Sequence, residues 1–247
     1  MKKCYIDING ANAVQPYTPL FLSNQGHRTA PTRQYLYSFA DWDQAPLSLD
    51  LGCGTGFITS ELTSLTAYAH AIGIDIDPEL LSIAWQNNYE NPRLNWLLGD
   101  ASTLPIRDAV SSFIISHFSL MWIQNYSNAL AEAFRVLRSQ AIFSAIEPDY
   151  SGRIEGSSNT QKESLHPIIR WLITKNANPF LGGVLPSELH GAGFIQITFG
   201  VLAWEFHETA AQAEMQEEAE ILHAEGIEWT QPLFTYTPIF WLKARRE

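Results

Sequence analysis

Leu49-Asp50-Leu51-Gly52-Cys53-Gly54-Thr55-Gly56-Phe57 packs an apolar run, a carboxylate and three alternate glycines into nine residues. Glycine tolerates positive φ and carries no β-carbon, so such a turn lets a ligand lie against bare backbone. Asp50, two residues before the first glycine, would repel a pyrophosphate and suits a ligand bearing an ammonium or sulfonium. Asp75 follows Gly56 by nineteen residues. That interval is close to the roughly 20 residues that set a carboxylate under the ribose of a nucleotide held at the first strand–helix turn. A third acid follows in Gly99-Asp100-Ala101.

These groups need elements to hold them. Leu47 to Leu51 reads as a strand and Phe57 to Ser64 as the helix after it. Ala69 to Asp75, Leu94 to Leu98, Val110 to Ser116 and Ala141 to Ile146 are further strands. Between them lie a helix starting at Asp77-Pro78 and running to Asn88, and another from Ser127 to Leu137. This alternation predicts right-handed crossovers and a parallel sheet covered on both faces. Beyond Tyr150 the pattern changes to helices over Gln161 to Lys175 and Pro186 to His190, a strand over Ile195 to Trp204, a helix over Thr209 to Glu225 and a last strand over Phe234 to Ala244. Residues 1–28, broken by Asn9-Gly10, Pro16 and Pro19, read as an irregular arm. A helix begins at Thr29, a candidate N-cap with Pro31 in the first turn, and runs to Ala40.

Taken together, Asp50 to Gly56, Gly73-Ile74-Asp75-Ile76-Asp77-Pro78 and Gly99-Asp100-Ala101 resemble the three cofactor motifs of Rossmann-like S-adenosylmethionine-dependent methyltransferases. The likeness covers residues 47–147 well. It resumes more weakly around Asn178 to Gly183, Ala192 to Phe194 and Thr237 to Phe240, similar to small-molecule members. It implies a doubly wound, mostly parallel seven-stranded α/β sheet with an antiparallel last strand. One domain is expected over 1–247: an arm and helix (1–45), a cofactor-binding half (46–147) and a substrate-side lid with the final strands (148–247). The resemblance implies that Gly52, Gly54 and Gly56 approach the methionine part of S-adenosyl-L-methionine, with Asp50 helping to hold that end. Asp75 and neighbouring Ile76 would meet the ribose, Asp100 and Ala101 the adenine, and Ser116 to Phe118 would border the methyl group.

Methyl transfer from a sulfonium is an in-line displacement in which alignment and exclusion of water do much of the work. A base is needed only where the acceptor must lose a proton. His117, just past the fourth strand, and Tyr150 are the catalytic candidates, with Glu147 and His166 as further possible bases; a structural histidine is an equal reading of His117. Cys53 reads as a small buried residue rather than a nucleophile. Trp122, Trp171, Phe180, Trp204, Phe206 and Trp229 suggest an apolar or planar acceptor pocket, or ordinary packing.

The formal charge of −11 on 247 residues disfavours nucleic acid as a partner. The excess is local, because Glu205 to Glu228 holds eight glutamates and no Lys or Arg. That acidic helix reads as a solvated lid or as a face for a basic partner. Cys4 and Cys53 offer neither a disulfide framework nor metal-ligand spacing. No run reaches the roughly 18 to 20 apolar residues that span a bilayer, and Met1 to Asp7 lacks the core of a secretory signal, so a cytoplasmic protein is expected. A small-molecule methyltransferase is the leading expectation. An inactive cofactor-binding subunit and an RNA or protein methyltransferase are the alternatives.

Overall fold

A computed structural model describes residues 19–42, 47–155, 166–202, 208–229 and 235–247. In chain order the elements are α1 (Pro19–Arg28), α2 (Ala30–Tyr37), β1 (Leu47–Leu51), α3 (Phe57–Leu62), β2 (His70–Asp75), α4 (Pro78–Asn88), β3 (Leu94–Leu98), β4 (Ser111–His117), α5 (Tyr126–Val136) and β5 (Leu137–Pro148). Then come β6 (Ile154–Glu155), α6 (Pro167–Thr174), α7 (Leu185–Gly191), β7 (Ile195–Val201), α8 (Glu208–Ala224), β8 (Thr235–Tyr236) and β9 (Ile239–Arg245).

Seven strands form one sheet in the order β3-β2-β1-β4-β5-β9-β7. Pairing is parallel from β3 to β5, and β9 runs antiparallel to both its neighbours. This is the expected doubly wound sheet with its antiparallel last strand. The strand order reverses between β1 and β4, where an open α/β sheet leaves a crevice beyond the carboxyl ends of its strands. Asp50 lies beside Ile115 and Leu51 beside Ser116, so the glycine turn and the end of β4 meet at that crevice.

The central strands are apolar on both faces because each face is covered. Leu49, Leu51 and Ile114 join one core with Leu130, Leu172 and Leu189 from α5, α6 and α7. Phe113 and Ile115, of opposite parity on β4, join the other with Tyr37, Ile58 and Leu62 from α2 and α3. Asp77 caps α4 through Oδ1, which accepts from the backbone N–H of Glu79 (2.8 Å) and Leu80 (3.2 Å), with Pro78 at the first helical position.

Three expectations change. Residues 19–28 are helical rather than irregular; a short helix with an internal glycine is marginal alone, and Gly26 serves here by letting the Phe57 ring lie where a β-carbon would be. The single last strand expected over Phe234 to Ala244 splits at Thr237-Pro238, so that β8 pairs with β6 in a separate two-stranded ladder. β5 begins at Leu137, directly after α5, with Gln140 in the left-handed region. Residues 1–18, the start of the helix expected from Gln161, and Trp204 and Phe206 lie outside the described residues. Among the described residues no helix is long and apolar enough to cross a membrane.

Candidate active site

All three glycines of the turn have positive φ: 71° at Gly52, 52° at Gly54 and 80° at Gly56. Their surroundings differ. A β-carbon on Gly52 would overlap Ser119, and one on Gly56 would overlap Trp96 of β3. On Gly54 its nearest neighbour would be Leu22 of α1, at 3.4 Å. The first and third glycines therefore serve internal packing, and Gly54 is the one whose bare face opens toward the roof. The turn is laid over β2 by the N–H groups of Gly52 (2.8 Å) and Cys53 (3.0 Å), both donating to the Ile74 carbonyl.

Asp75 closes β2 and is 4% exposed. Its Oδ2 accepts from Gly54 N (2.7 Å) and its Oδ1 from Asp77 N (2.9 Å). Burial pushes its pKa up to about 6, against the pull of those backbone donors. An ionised carboxylate has about four acceptor positions, and the Ile76 backbone also favours its charge, so not every position is taken and a ligand hydroxyl can still be accepted. Half-buried Ile76 follows. Asp100 makes an Asx turn by accepting from Ser102 N (2.8 Å), and buried Ala101 lies beside it. Asp50 faces inward: it is 1% exposed, and its Oδ2 accepts from the Thr59 hydroxyl of α3 (2.6 Å). Burial lifts its pKa to about 7. Cys53 is buried as well, with its thiol pushed well up.

At the end of β4, Ser116 is fully buried and its hydroxyl contacts Ser119 Oγ (2.7 Å) and donates to Glu147 (3.1 Å). That side chain belongs to the support beneath the crevice. Glu147, at the end of β5 and wholly buried, also accepts from the N–H groups of Ser119 (3.0 Å), Leu120 (2.8 Å) and Met121 (3.4 Å). Desolvation raises its pKa to about 7 despite these donors. His117 Nε2 lies 2.7 Å from the Thr29 hydroxyl. Desolvation first, then the charge of Arg33, lowers its pKa to about 3 and keeps the ring neutral. Tyr150 sits in the turn after β5, with the Arg153 guanidinium 6.0 Å from its ring centroid. His166 caps α6, its Nδ1 accepting from Ile168 N (3.2 Å).

The N-terminal helices roof the crevice through a buried cation. Arg33, with no exposed side-chain surface, donates to Glu61 of α3 (2.7 Å), to the Gly26 carbonyl (2.6 Å) and to Thr29 Oγ1 (2.7 Å). Glu61 also accepts from Tyr37 Oη (2.8 Å). α8 is tied to the roof and to the turn after β5: Arg28 donates to Glu217 (3.1 Å), and Arg153 donates to both oxygens of Glu218 (2.7 Å each). Lys175 pairs with Glu225 (2.7 Å). The basic partner of the acidic helix thus includes cations of its own chain.

Sequence reading missed Thr29, Arg33 and Glu61 as a unit, since nothing in one element's periodicity links residues about 30 apart. It also passed over Asp149, whose Oδ2 accepts from Gly183 N (2.6 Å), although the acid cluster at the end of β5 was visible. Trp171 is core, with Trp122 packed against it at 6.4 Å between ring centroids.

Residues 49–145 match the family described as "Methyltransferase domain". Over 90 residues the chain is 30% identical to malonyl-[acyl-carrier protein] O-methyltransferase of Hahella chejuensis, covering 36% of this chain and 32% of that protein. Over 154 residues it is 28% identical to demethylmenaquinone methyltransferase of Lactiplantibacillus plantarum, covering 61% of each. In both, the match spans less than two thirds of the relative's length. Geranyl diphosphate methyltransferase, solved with sinefungin, superposes with a TM-score of 0.65 over 88% of this chain and 79% of the other, at 11% identity, a likeness of fold. Residues 49–145, less than half of the chain, match the methyltransferase-domain family, and the solved methyltransferase shows that the chain shares its fold.

Proposed function

We propose that this protein transfers a methyl group from S-adenosyl-L-methionine to a small apolar or planar acceptor in the cytoplasm. The observation that carries the reading is the pairing of Gly54 N with the Asp75 carboxylate at the strand-order reversal. It ties bare backbone to a buried acceptor with acceptor capacity left for a hydroxyl. The donor set fits the cofactor: Asp75 takes the ribose, Gly54 lies against the methionine part, Asp100 and Ala101 flank the adenine, and the buried acids Asp50 and Asp75 favour a cation nearby. Bound there, the cofactor supplies an electrophilic methyl on a sulfonium.

The chain's own residues then align and exclude. Leu22 of α1 covers Gly54, the buried Arg33–Glu61 pair holds that roof down, and α8 closes the side. His117 is held neutral against the Thr29 hydroxyl, and the burial and Arg33 charge that oppose its protonation make it an anchor of the roof rather than a base. Relatives named as a ubiquinone/menaquinone biosynthesis C-methyltransferase and a malonyl-[acyl-carrier protein] O-methyltransferase support a carbon or oxygen acceptor.

Calorimetry with S-adenosylmethionine and S-adenosylhomocysteine tests the site, and no heat at millimolar ligand refutes it. Transfer of label from methyl-labelled donor to a small molecule of a cell extract tests the activity. Cofactor binding without transfer would favour an inactive, cofactor-binding subunit.

A further inference from the structure

β7 ends one side of the seven-stranded sheet, and among the described residues no strand pairs with its outer edge. An open edge offers a row of N–H and C=O groups to another strand, and natural edges are blunted by charge, proline or a bulge. β7 is only partly protected. A bulge, with Gln196 in the left-handed region, breaks the register between Ile195 and Thr198. Beyond it Thr198 to Val201 pair regularly with Lys243 to Phe240, and the strand Ile-Gln-Ile-Thr-Phe-Gly-Val carries neither charge nor proline. Phe199 is 54% exposed and Val201 45%, although their cross-strand neighbours Leu242 and Phe240 belong to the core or pack on it. Gly182 and Gly183 run beside the same Phe240 ring, and exposed Val184 follows them. An open edge and an apolar margin thus coincide.

We propose that this edge is an interface between two copies of the chain, which pair β7 with β7 antiparallel about a two-fold axis at Phe199. The strand is complementary to itself in that register. Phe199 stands beside Phe199 and Ile197 beside Val201 on one face, while Thr198 stands beside Gly200 on the other, where the Trp241 indole fills the space of the absent β-carbon. Aromatic and β-branched cross-strand pairs stabilise a sheet, and an isologous contact closes at two copies. Phe199, Val201 and Val184 with the strand edge would bury on the order of 400 Å² per copy, about half of the roughly 800 Å² per partner of a standard stable complex. The pair is therefore a reversible one, dissociating in the micromolar range. With the axis perpendicular to the sheet, the two crevices open at opposite ends and neither copy covers the other's site. The inference is independent of the methyltransferase reading.

Sedimentation of the full chain between about 1 and 500 µM is expected to show monomer–dimer exchange that ends at two copies. Phe199→Lys sets two ammonium groups side by side at the axis and should weaken the pair by about 10-fold or more. Tyr89→Lys, at an exposed aromatic just after α4, should leave it unchanged. Amide exchange over residues 197–201 should slow with concentration in wild type and not in Phe199→Lys. A wild type that stays monomeric overturns the proposal, whether its β7 amides exchange freely or are covered by another segment of the same chain. Dimers that survive Phe199→Lys, dimers lost in Tyr89→Lys, or growth past two copies overturn it as well. Should Phe199→Lys fail to fold, Val201→Lys carries the same comparison.

Discussion

The Thr29 hydroxyl and His117 Nε2 lie 2.7 Å apart, joining the break between α1 and α2 to the end of β4. Arg33 donates to the same hydroxyl (2.7 Å), so a guanidinium stands one atom from the imidazole and opposes its protonation. The folded pKa of about 3 lies below the ordinary 6.5. An unfolded chain therefore takes up this proton first on acidification. The stability His117 contributes is complete above pH 6.5 and is lost as pH falls toward 3. Between pH 7 and 5, wild type should lose up to about 2 kcal/mol more than His117→Gln, read as diverging denaturant midpoints. Parallel curves would mean that the ring titrates normally.

Asp75 gives a pH dependence of the opposite chemical kind. On the proposed function a ribose hydroxyl would donate to the ionised carboxylate, whose pKa burial has raised to about 6. Cofactor affinity should be flat above pH 7 and fall below pH 6 by a factor approaching tenfold per unit. Asp75→Asn should bind about 1.5 to 3 kcal/mol more weakly at pH 8, from loss of charge-assisted hydrogen bonds, and lose the dependence. Calorimetry across pH 5 to 8 checks both, and a pH-independent wild type would remove Asp75 from the cofactor site.

The glycine turn separates packing from binding. Gly52→Ala and Gly56→Ala combine a left-handed alanine with overlap against Ser119 or Trp96, and each should destabilise by roughly 2 to 4 kcal/mol. Gly54→Ala meets Leu22 at 3.4 Å and Leu80 at 4.0 Å, both ordinary contacts, so about 1 to 2 kcal/mol is expected, with the larger effect on cofactor affinity. Melting curves and titrations on the three variants suffice. The assignment fails if Gly54→Ala is the least stable and binds normally.

Much of this architecture was legible because its signals are local. β1, β2 and β3 are apolar runs ending near an acid or glycine, and Asp77-Pro78 announces α4 through capping chemistry that needs no partner. What stayed hidden depends on distant partners. α1 was read as an arm because its helix relies on Phe57 filling the space beside Gly26. That Gly52 and Gly56 also make room for Ser119 and Trp96 cannot be read from the motif, because those residues lie far along the chain. Whether a strand polar group faces the crevice or the interior also depends on what waits beneath it. Thr59 draws Asp50 inward, and Ser119 with Glu147 draws Ser116.

Adjacent glutamates of α8 hold two different elements, and they should not weigh equally. Arg153 and Glu218 are 4% and 7% exposed, with Thr237 Oγ1 also accepting from the guanidinium (3.0 Å). Removing one member strands a buried charge, so Arg153→Met should destabilise by about 3 to 5 kcal/mol, and the double variant with Glu218→Met should recover most of that. Arg28 and Glu217 are 24% and 16% exposed, so Arg28→Ala should change stability by less than about 1 kcal/mol, with a loss that shrinks as salt screens the pair. On the proposed function, in which α8 closes the substrate side, Arg28→Ala should instead raise KM for the acceptor, leaving cofactor affinity unchanged. Urea denaturation at two salt concentrations, with acceptor titration once one is known, resolves these arms. If Arg153→Met and Arg28→Ala unfold at the same midpoint, the buried pair is not what fastens α8.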